Sequence, residues 1–574
     1  MTTLHVAPEL DPLKRRGLLA SWIREAVRGE GGVVLLLGHE GRGRLDGVEV
    51  VGGGAPPSVP TSDAVERAFL EAFVTLAEAP YRVDPRGVDV VEGHEWAGAL
   101  VAYVLAKRLG VPFRYSIYTR AGGRGGRGLV SESVASIESF LEAEADEVVE
   151  RLRGARVRRE RGAAAPQRRA PGILHISWEY PPHIVGGLGR AVTSIARVQA
   201  EHAETYVLSI GLPGRVVDED EGRLHVLRVD PFLLRTTGLV SWVYAFNMLM
   251  VVKVLSLGLK PTIIHAHDWL SAPAAVALKH LLKVPLVATV HATEYGRSRG
   301  NIATPMQQQI HYWEWRLTYE AWRVFVCSHS MRGEVMAAFS LPADKITVLP
   351  NGIDLAEFDA HQPAPGERDK YALPWEKVVF FAGRHVYDKG IDVLVEAARI
   401  LLSRRGDVKF VIAGDGPMRM HLEWLARSYG IGQKVLFTGR LSDSELFRAM
   451  KLSDVIVIPS RYEPFGIVAL EAMASAKPVV ASRVGGLAEV VEDGVTGLLV
   501  PPDDPAALAG AIEALLRDPG RAREMGASGR RRVELLYRWD QVVRYLLQIY
   551  QRILEEHSTC GWSTLFDSAP FPRA

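Results

Sequence analysis

The sequence predicts an α/β protein: two consecutive domains with parallel sheets, preceded by a degenerate copy of the first. Three observations carry this. The chain has 574 residues, too many for one ordinary domain, and its 48% hydrophobic share can fill several cores. From about Gly172, short apolar β-rich runs alternate with helical patterns, as in successive βαβ units. A long stretch of the first half also returns later at a constant offset.

The copy comes first. GVDVVEGHEWAGALVAYVLAKRLGVPFRYSIYTRAGGRG reads like a worn version of KPTIIHAHDWLSAPAAVALKHLLKVPLVATVHATEYGRSRG. His94 and His267, Trp96 and Trp269, Pro112 and Pro285, and Arg124 and Arg297 all stand 173 positions apart. Leu4-His5-Val6 matches Leu174-His175-Ile176, and IESFLEAEADEVV resembles WEWRLTYEAWRVF. Residues 1–150 are therefore expected to duplicate the domain at 172–352. The copy has DPLKRRG where the later domain has GGLGR, and Tyr118 where it has His291. That predicts a non-catalytic module, for carbohydrate binding or for subunit contact in a homo-oligomer. The stretch 151–171, containing RLRGARVRRERGAAAPQRR, reads as a basic linker. It lacks the interleaved aromatics of an RNA-binding segment.

The domain at 172–352 is carried by ILHISW, TYVLSI, TIIHAH, LVATVHA, RVFVCS and ITVLP. Within it Leu239–Leu259 is long enough to cross a membrane. Asn247 and Lys253 interrupt it and a strand-like run follows, so a buried helix is expected and no transmembrane segment. After Pro350-Asn351-Gly352 the alternation resumes over 353–535 in KVVFFAG, VKFVIAG, VLFTG, VIVIPS, PVVAS and GLLV. An amphipathic helix is expected over 536–557 and a loose tail over 558–574.

Lys+Arg 68 against Asp+Glu 67 argues against bulk nucleic-acid binding. Two distant cysteines, Cys327 and Cys560, exclude a disulfide framework and suggest a reducing cytoplasm. MTTLHVAPEL has no signal-peptide pattern.

Four stretches carry chemistry. GGLGR (Gly186, Gly187, Gly189) follows a strand and opens a helix pattern. Its glycines admit close backbone approach, and a helix start offers unpaired N–H groups to phosphate. Arg384 and Lys389, in GRHVYDKG after a strand, suit a diphosphate leaving group: Arg grips two oxygens and Lys supplies a point charge. Glu463 and Glu471 stand eight apart in EPFGIVALE. Glu471 suits the vicinal hydroxyls of a ribose. Glu463 suits sugar hydroxyls or positive charge at the anomeric carbon. Gly466 can offer backbone N–H groups at the helix start. His291 ends a strand and could bond a sugar; a core histidine is the plain alternative. His265 and His267 alternate onto one sheet face with Asp268 at the strand end, but no fourth ligand stands at convincing spacing, so no metal site is expected. Asp218-Glu219-Asp220 lies in a polar loop far in sequence from the Arg384–Lys389 stretch and is discounted as a metal motif.

These residues resemble the retaining glycosyltransferases of the GT-B fold, with two facing Rossmann-like domains, and in particular family four with its glycogen and starch synthase relatives. The resemblance spans about Gly172–Glu556 and is most specific in GRHVYDKG, IAGDGP, VIVIPSRYEPFGIVALEAMASAKPVVASRVGGLAEVV and GVTGLLV. ISWEYPPHIVGGLGR, IIHAHDW and VATVHATEYGR look more like glucan synthases than lipid mannosyltransferases. The resemblance implies that the backbone around Gly187 holds the donor diphosphate, with Arg384 and Lys389 on its phosphates. Glu463 would contact the sugar, Glu471 the ribose and His291 the sugar. Phe465, Gly466, Gly485 and Gly486 would line the donor. It further implies no obligatory metal or other cofactor, ADP- or UDP-glucose as donor, a glucan acceptor, and a last helix that returns to the first catalytic domain. Rival acceptors are a lipid, a sugar phosphate or a small sugar. A binding protein without turnover would predict a broken clamp, and the clamp residues are present.

Overall fold

The computed structural model describes residues 170–212, 217–231 and 238–560. Ahead of them it describes 3–7, 32–37, 42–45, 48–52, 71–73, 75, 88–109, 111–117, 141, 145–150 and 155–158. The chain forms two compact units. The first is Met1–Thr289 with Ile302–Arg323 and Tyr550–Ala574; the second is Val290–Asn301 with Val324–Ile549.

The first unit holds two sheets of the same design. Strands β1 (Thr3–Ala7), β2 (Gly32–Leu36), β3 (Arg42–Leu45), β4 (Val48–Gly52), β5 (Val90–His94), β6 (Phe113–Ile117), β7 (Glu147–Glu150) and β8 (Ala155–Arg158) lie in the order β3-β4-β2-β1-β5-β6-β7-β8. Strands β9 (Ile173–Ile176), β10 (Thr205–Ile210), β11 (Glu219–Glu221), β12 (Leu224–Val229), β13 (Ile263–His267) and β14 (Leu286–Val290) run β11-β12-β10-β9-β13-β14. Both orders place the third and fourth strands at one edge as an antiparallel pair, with parallel neighbours inward. Even the register repeats: His5 opposes Glu92 as His175 opposes His265.

The basic stretch expected to be a linker contains β8, paired antiparallel to β7. In ARVR, arginines flank one valine, so the apolar signal is too weak to read as a strand. Cations are common on sheet edges, where they discourage further pairing.

The apolar helix at Leu239–Ser256 is 61% buried over the window that could cross a membrane. It packs against helices Glu95–Leu109 and Ala272–Leu282, and Phe73 reaches its Tyr244 with ring centroids 6.0 Å apart. Both interruptions are satisfied. Asn247 Nδ2 donates to Val243 O and Leu270 O, and Oδ1 accepts from Ala274 N at 2.9 Å. Lys253 pairs with Asp218 at 2.8 Å. Glu219 binds Arg228 and Asp220 binds His225, so all three acids of the Asp218–Asp220 run are engaged by cationic residues or histidine.

In the second unit, β15 (Arg323–Val326) and β16 (Ile346–Val348) pair in parallel. A parallel sheet follows: β17 (Lys377–Ala382), β18 (Val408–Ala413), β19 (Val435–Gly439), β20 (Val455–Ile458), β21 (Val479–Ser482) and β22 (Gly497–Val500), in the order β19-β18-β17-β20-β21-β22. Helix Ile391–Leu402 turns Ile391, Leu394, Val395, Ala398 and Leu401 onto this sheet at helical spacing. Burial of each large side chain contributes about 1.5–3 kcal/mol. The order reverses between β17 and β20, and a ligand crevice in an open α/β sheet forms at such a reversal.

The contacts divide the chain elsewhere than at the expected 352/353 boundary. Ser328 Oγ donates to Pro464 O, and the N–H groups of His329 and Ser330 donate to Glu489, which draws these segments into the second unit. The last helix runs Trp539–Thr559, and its residues from Tyr550 belong to the first unit. There Tyr550 O–H meets His265 Nδ1 at 2.5 Å, and Trp322 Nε1 donates to Glu556 at 2.7 Å.

Candidate functional site

In the second unit the candidate residues collect at the β17/β20 reversal. β17 ends at Ala382 and leads through Arg384 to a short helical turn, Tyr387–Lys389. β20 ends at Ile458 and leads through Glu463 to helix Ile467–Ala474, which carries Glu471. Lys389 Nζ and Glu463 Oε2 meet at 2.6 Å, with Ser460 Oγ 3.3 Å from the same oxygen. Arg384 is exposed and Glu471 is buried.

Arg461 ties the two loops together. It binds both Asp392 oxygens at 2.8 and 2.6 Å, reaches Asp503 at 2.5 Å, and lies 4.1 Å over the Tyr387 ring. Its amide donates to Asp388 O. The glycines make the same loops fit. Gly390 has φ +62°, and a Cβ there would lie 2.0 Å from Pro459 O. Gly485, at φ +46°, would put a Cβ 2.1 Å from Glu463 O, and Gly486 would put one 2.4 Å from Phe465 Cα. Gly486 N also donates to Glu463 O at 3.0 Å. These two glycines, expected to line a nucleotide, thus let the chain after β21 lie against the Glu463–Phe465 backbone. Gly466 begins the helix at φ +103°, and Phe465 packs edge-on to Tyr537.

His291 follows β14 and belongs to the second unit. Two residues on, Thr293 enters a network that sequence reasoning did not find. Thr293 Oγ1 donates to Glu334 Oε1 at 2.5 Å, Tyr462 O–H donates to the same oxygen at 2.9 Å, and Gly296 N donates to Thr293 Oγ1 at 2.8 Å. Burial, reinforced by the Glu334 charge, pushes the Tyr462 phenol far above its ordinary pKa. The network fixes the His291 loop beside the residue that precedes Glu463.

In the first unit, the Gly186–Gly189 turn follows β9 and opens helix Gly187–Ala200. Gly187 is exposed. The N–H groups of Val185, Gly186 and Gly189 converge on Glu179 Oε2 at 2.9, 2.8 and 3.2 Å.

His265 and His267 share a face of β13, as the alternation predicts, and His175 of β9 joins them. One ligand atom from each lies within 4.8 Å of the others, a grouping that could hold a metal ion. As folded they form a hydrogen-bonded chain. His175 Nδ1 meets His267 Nε2 at 3.0 Å, and His265 bonds Tyr550 O–H and, at 2.6 Å, Thr289 Oγ1. Both His265 nitrogens are thereby committed. Burial lowers the His175 pKa to about 4, with nearby Gln199 pulling the other way. The hydrogen-bonded imidazoles brace β9, β13 and the last helix.

Comparison with known proteins identifies the pattern. The family described as Glycosyltransferase Family 4 matches residues 185–357, and the one described as Glycosyl transferases group 1 matches residues 366–532. An uncharacterized glycosyltransferase of Methanocaldococcus jannaschii is 36% identical over 390 residues, covering 67% of this chain and 98% of that one. A glycogen synthase of Mycobacterium tuberculosis is 34% identical over 398 residues, covering 66% and 94%. Among solved structures, a sucrose-phosphate synthase from Thermosynechococcus elongatus is 26% identical with a TM-score of 0.59, covering 67% of this chain and all of that one. Each of the three matches leaves about a third of this chain uncovered.

Proposed function

The chain belongs to glycosyltransferase family 4 and has its GT-B fold, and we propose that it moves a glucosyl unit from ADP- or UDP-glucose to the end of an α-1,4-glucan with retention of configuration. The observation that carries the donor chemistry is the meeting of Lys389 and Glu463 at the sheet reversal, with an exposed Arg384 on the same loop as Lys389. A diphosphate gains charge as the sugar bond breaks. Arg384 and Lys389 stabilise that charge most when it is fully developed, which is where rate is gained. Lys389 then exchanges its carboxylate partner for phosphate, and Glu463 turns to the sugar hydroxyls or the positive anomeric centre. Glu471 takes the ribose, His291 the sugar, and the amides around Gly187 the diphosphate. The acceptor's proton passes to the departing phosphate oxygen, so no separate general base is needed, and no metal is required where two cations serve the phosphates.

The glucan acceptor is supported by the glycogen synthase relative, which matches along nearly its whole length. A second reading, a sugar-phosphate or small-sugar acceptor, is favoured by the likeness to a sucrose-phosphate synthase. We place the activity in the cytoplasm. We also propose that the sheet domain β1–β8 is a degenerate duplicate without donor chemistry. The repeated strand order and register support duplication. The positions that would show lost chemistry, 11–17 and Tyr118, lie outside the described residues.

Nucleotide release from ADP-glucose, UDP-glucose and GDP-mannose, with and without glycogen, tests the reading. Glycogen-dependent release from a glucose donor, abolished in Glu463→Ala, supports it. Release with no glycogen dependence for any donor overturns the glucan acceptor, and lipids, sugar phosphates and small sugars are then screened as acceptors.

A further inference from the structure

The Gly-rich turn already holds an anion, and it is the protein's own. Ser177 Oγ donates to Glu179 O at 2.8 Å and accepts from Glu179 N at 3.3 Å, which sets the backbone of Glu179 just past β9. Tyr180 and His183 then exchange backbone hydrogen bonds at 3.0 and 2.9 Å, a tight turn that brings Val185–Gly189 back over the Glu179 side chain. One carboxylate oxygen receives all three amides, from Val185, Gly186 and Gly189. The residue is 4% exposed. No cation pairs with it among the described residues' ion pairs, so backbone dipoles alone offset its burial.

The glycine pattern follows from the same contact. A Cβ on Gly189 would lie 2.8 Å from Glu179 Oε2 and 3.0 Å from Glu179 Cβ, whereas a Cβ on Gly186 would meet nothing within 4 Å. Gly189 is therefore glycine because Glu179 lies against it, not because a ligand does. An oxygen with three N–H donors is saturated. A phosphate could claim those amides only by displacing a buried carboxylate and taking its place beside it, against like-charge repulsion. The amides of Gly187 and Leu188 stand outside that set, at a helix start where N–H groups have no intrahelical acceptor.

We infer that Glu179 is a positioning residue for the donor: its carboxylate fills the inner side of the Gly-rich turn, fixes the turn's shape, and thereby presents the Gly187 and Leu188 amides to the diphosphate. This rests on the donor reading above. It divides the GGLGR backbone into amides that build the turn and amides that serve the ligand.

The test is calorimetric titration of the full chain with ADP and UDP, and with the matching nucleosides. Wild-type, Glu179→Ala, Glu179→Gln and Gly189→Ala proteins are compared, with urea midpoints as a folding check. Glu179→Ala should weaken nucleoside diphosphate binding at least ten-fold and leave the nucleoside unchanged. Glu179→Gln keeps an acceptor oxygen in place and should recover most of the loss. Gly189→Ala pushes on the same contact from the other side and should repeat the Ala effect, so the inference stays testable if Glu179→Ala does not fold. Equal or tighter diphosphate binding in folded Glu179→Ala and Gly189→Ala overturns it, as does an equal loss for nucleoside and diphosphate. If the wild-type protein binds neither diphosphate, the donor reading itself fails, whatever Glu179 does.

Discussion

Replacing Tyr462 with phenylalanine deletes one hydroxyl and tests whether the network around Glu334 positions the chemistry. That hydroxyl donates to Glu334 Oε1 at 2.9 Å, while Thr293 Oγ1 holds the same oxygen at 2.5 Å. A hydrogen bond to a charged group contributes about 1.5–3 kcal/mol. Glu334 is only half-buried, so water can replace part of the loss, and about 1–2 kcal/mol of stability should disappear. The catalytic effect should exceed what stability alone suggests. Thr293 stands two residues from His291, and Tyr462 adjoins Glu463. A 1 Å misplacement of reacting groups costs about 100-fold, and a partial one should lower kcat about 10-fold with little change in donor KM. Steady-state kinetics with varied donor, beside a urea melt, reads both. The phenol's raised pKa keeps it protonated across the working range, so the pH–rate profile from 6 to 9 should keep its shape. A kcat within two-fold of wild type in a folded variant would refute the reasoning.

Other outcomes follow from single contacts. Glu463→Ala and Lys389→Ala should each cost on the order of 100-fold or more in turnover, and near-normal rates in either would show the site is misplaced. Asn247→Leu keeps the size but orphans Leu270 O and Ala274 N; at about 1–3 kcal/mol per buried orphan, urea unfolding should register about 2–6 kcal/mol, and a change below about 1 would mean the polar contacts there are dispensable. His175 has a folded pKa of about 4 against 6.5 unfolded. Its neutral form is the folded one, so stability is full above 6.5 and is lost as pH falls toward 4, by on the order of 3 kcal/mol. Melts at pH 7.5, 6.0 and 5.0 should show this loss, reduced in His175→Asn; equal acid sensitivity in that variant would assign the loss to other groups.

The sheets were legible because buried parallel strands write themselves as short apolar runs. Lys389 and Glu463 were legible because each follows such a run, where ligands collect. Other features needed distance information. His175 belongs with His265 and His267 only through the pairing of β9 with β13, which no local pattern reports. Glu179, in EYPP, reads as an ordinary loop acid until the turn at Tyr180–His183 folds three amides over it. Gly485 and Gly486 are assigned to the donor by resemblance alone, and their close approach to the Glu463–Phe465 backbone is a contact that no local pattern reports. Residues 290–301 read as the end of a first-domain strand, yet the Glu334–Tyr462 network draws them into the other unit.

The apolar helix at Leu239–Ser256 carries a last implication. Part of its surface is covered by Glu95–Leu109 and Phe73, which lie ahead of the residues that the two family descriptions match. Cutting the chain near Gly172 would uncover that oily flank. Such a fragment should stick to itself or to detergent. The segment ahead of Gly172 can thus be lost only if the helix beneath it is rewritten, and that dependence holds whatever chemistry the segment brings.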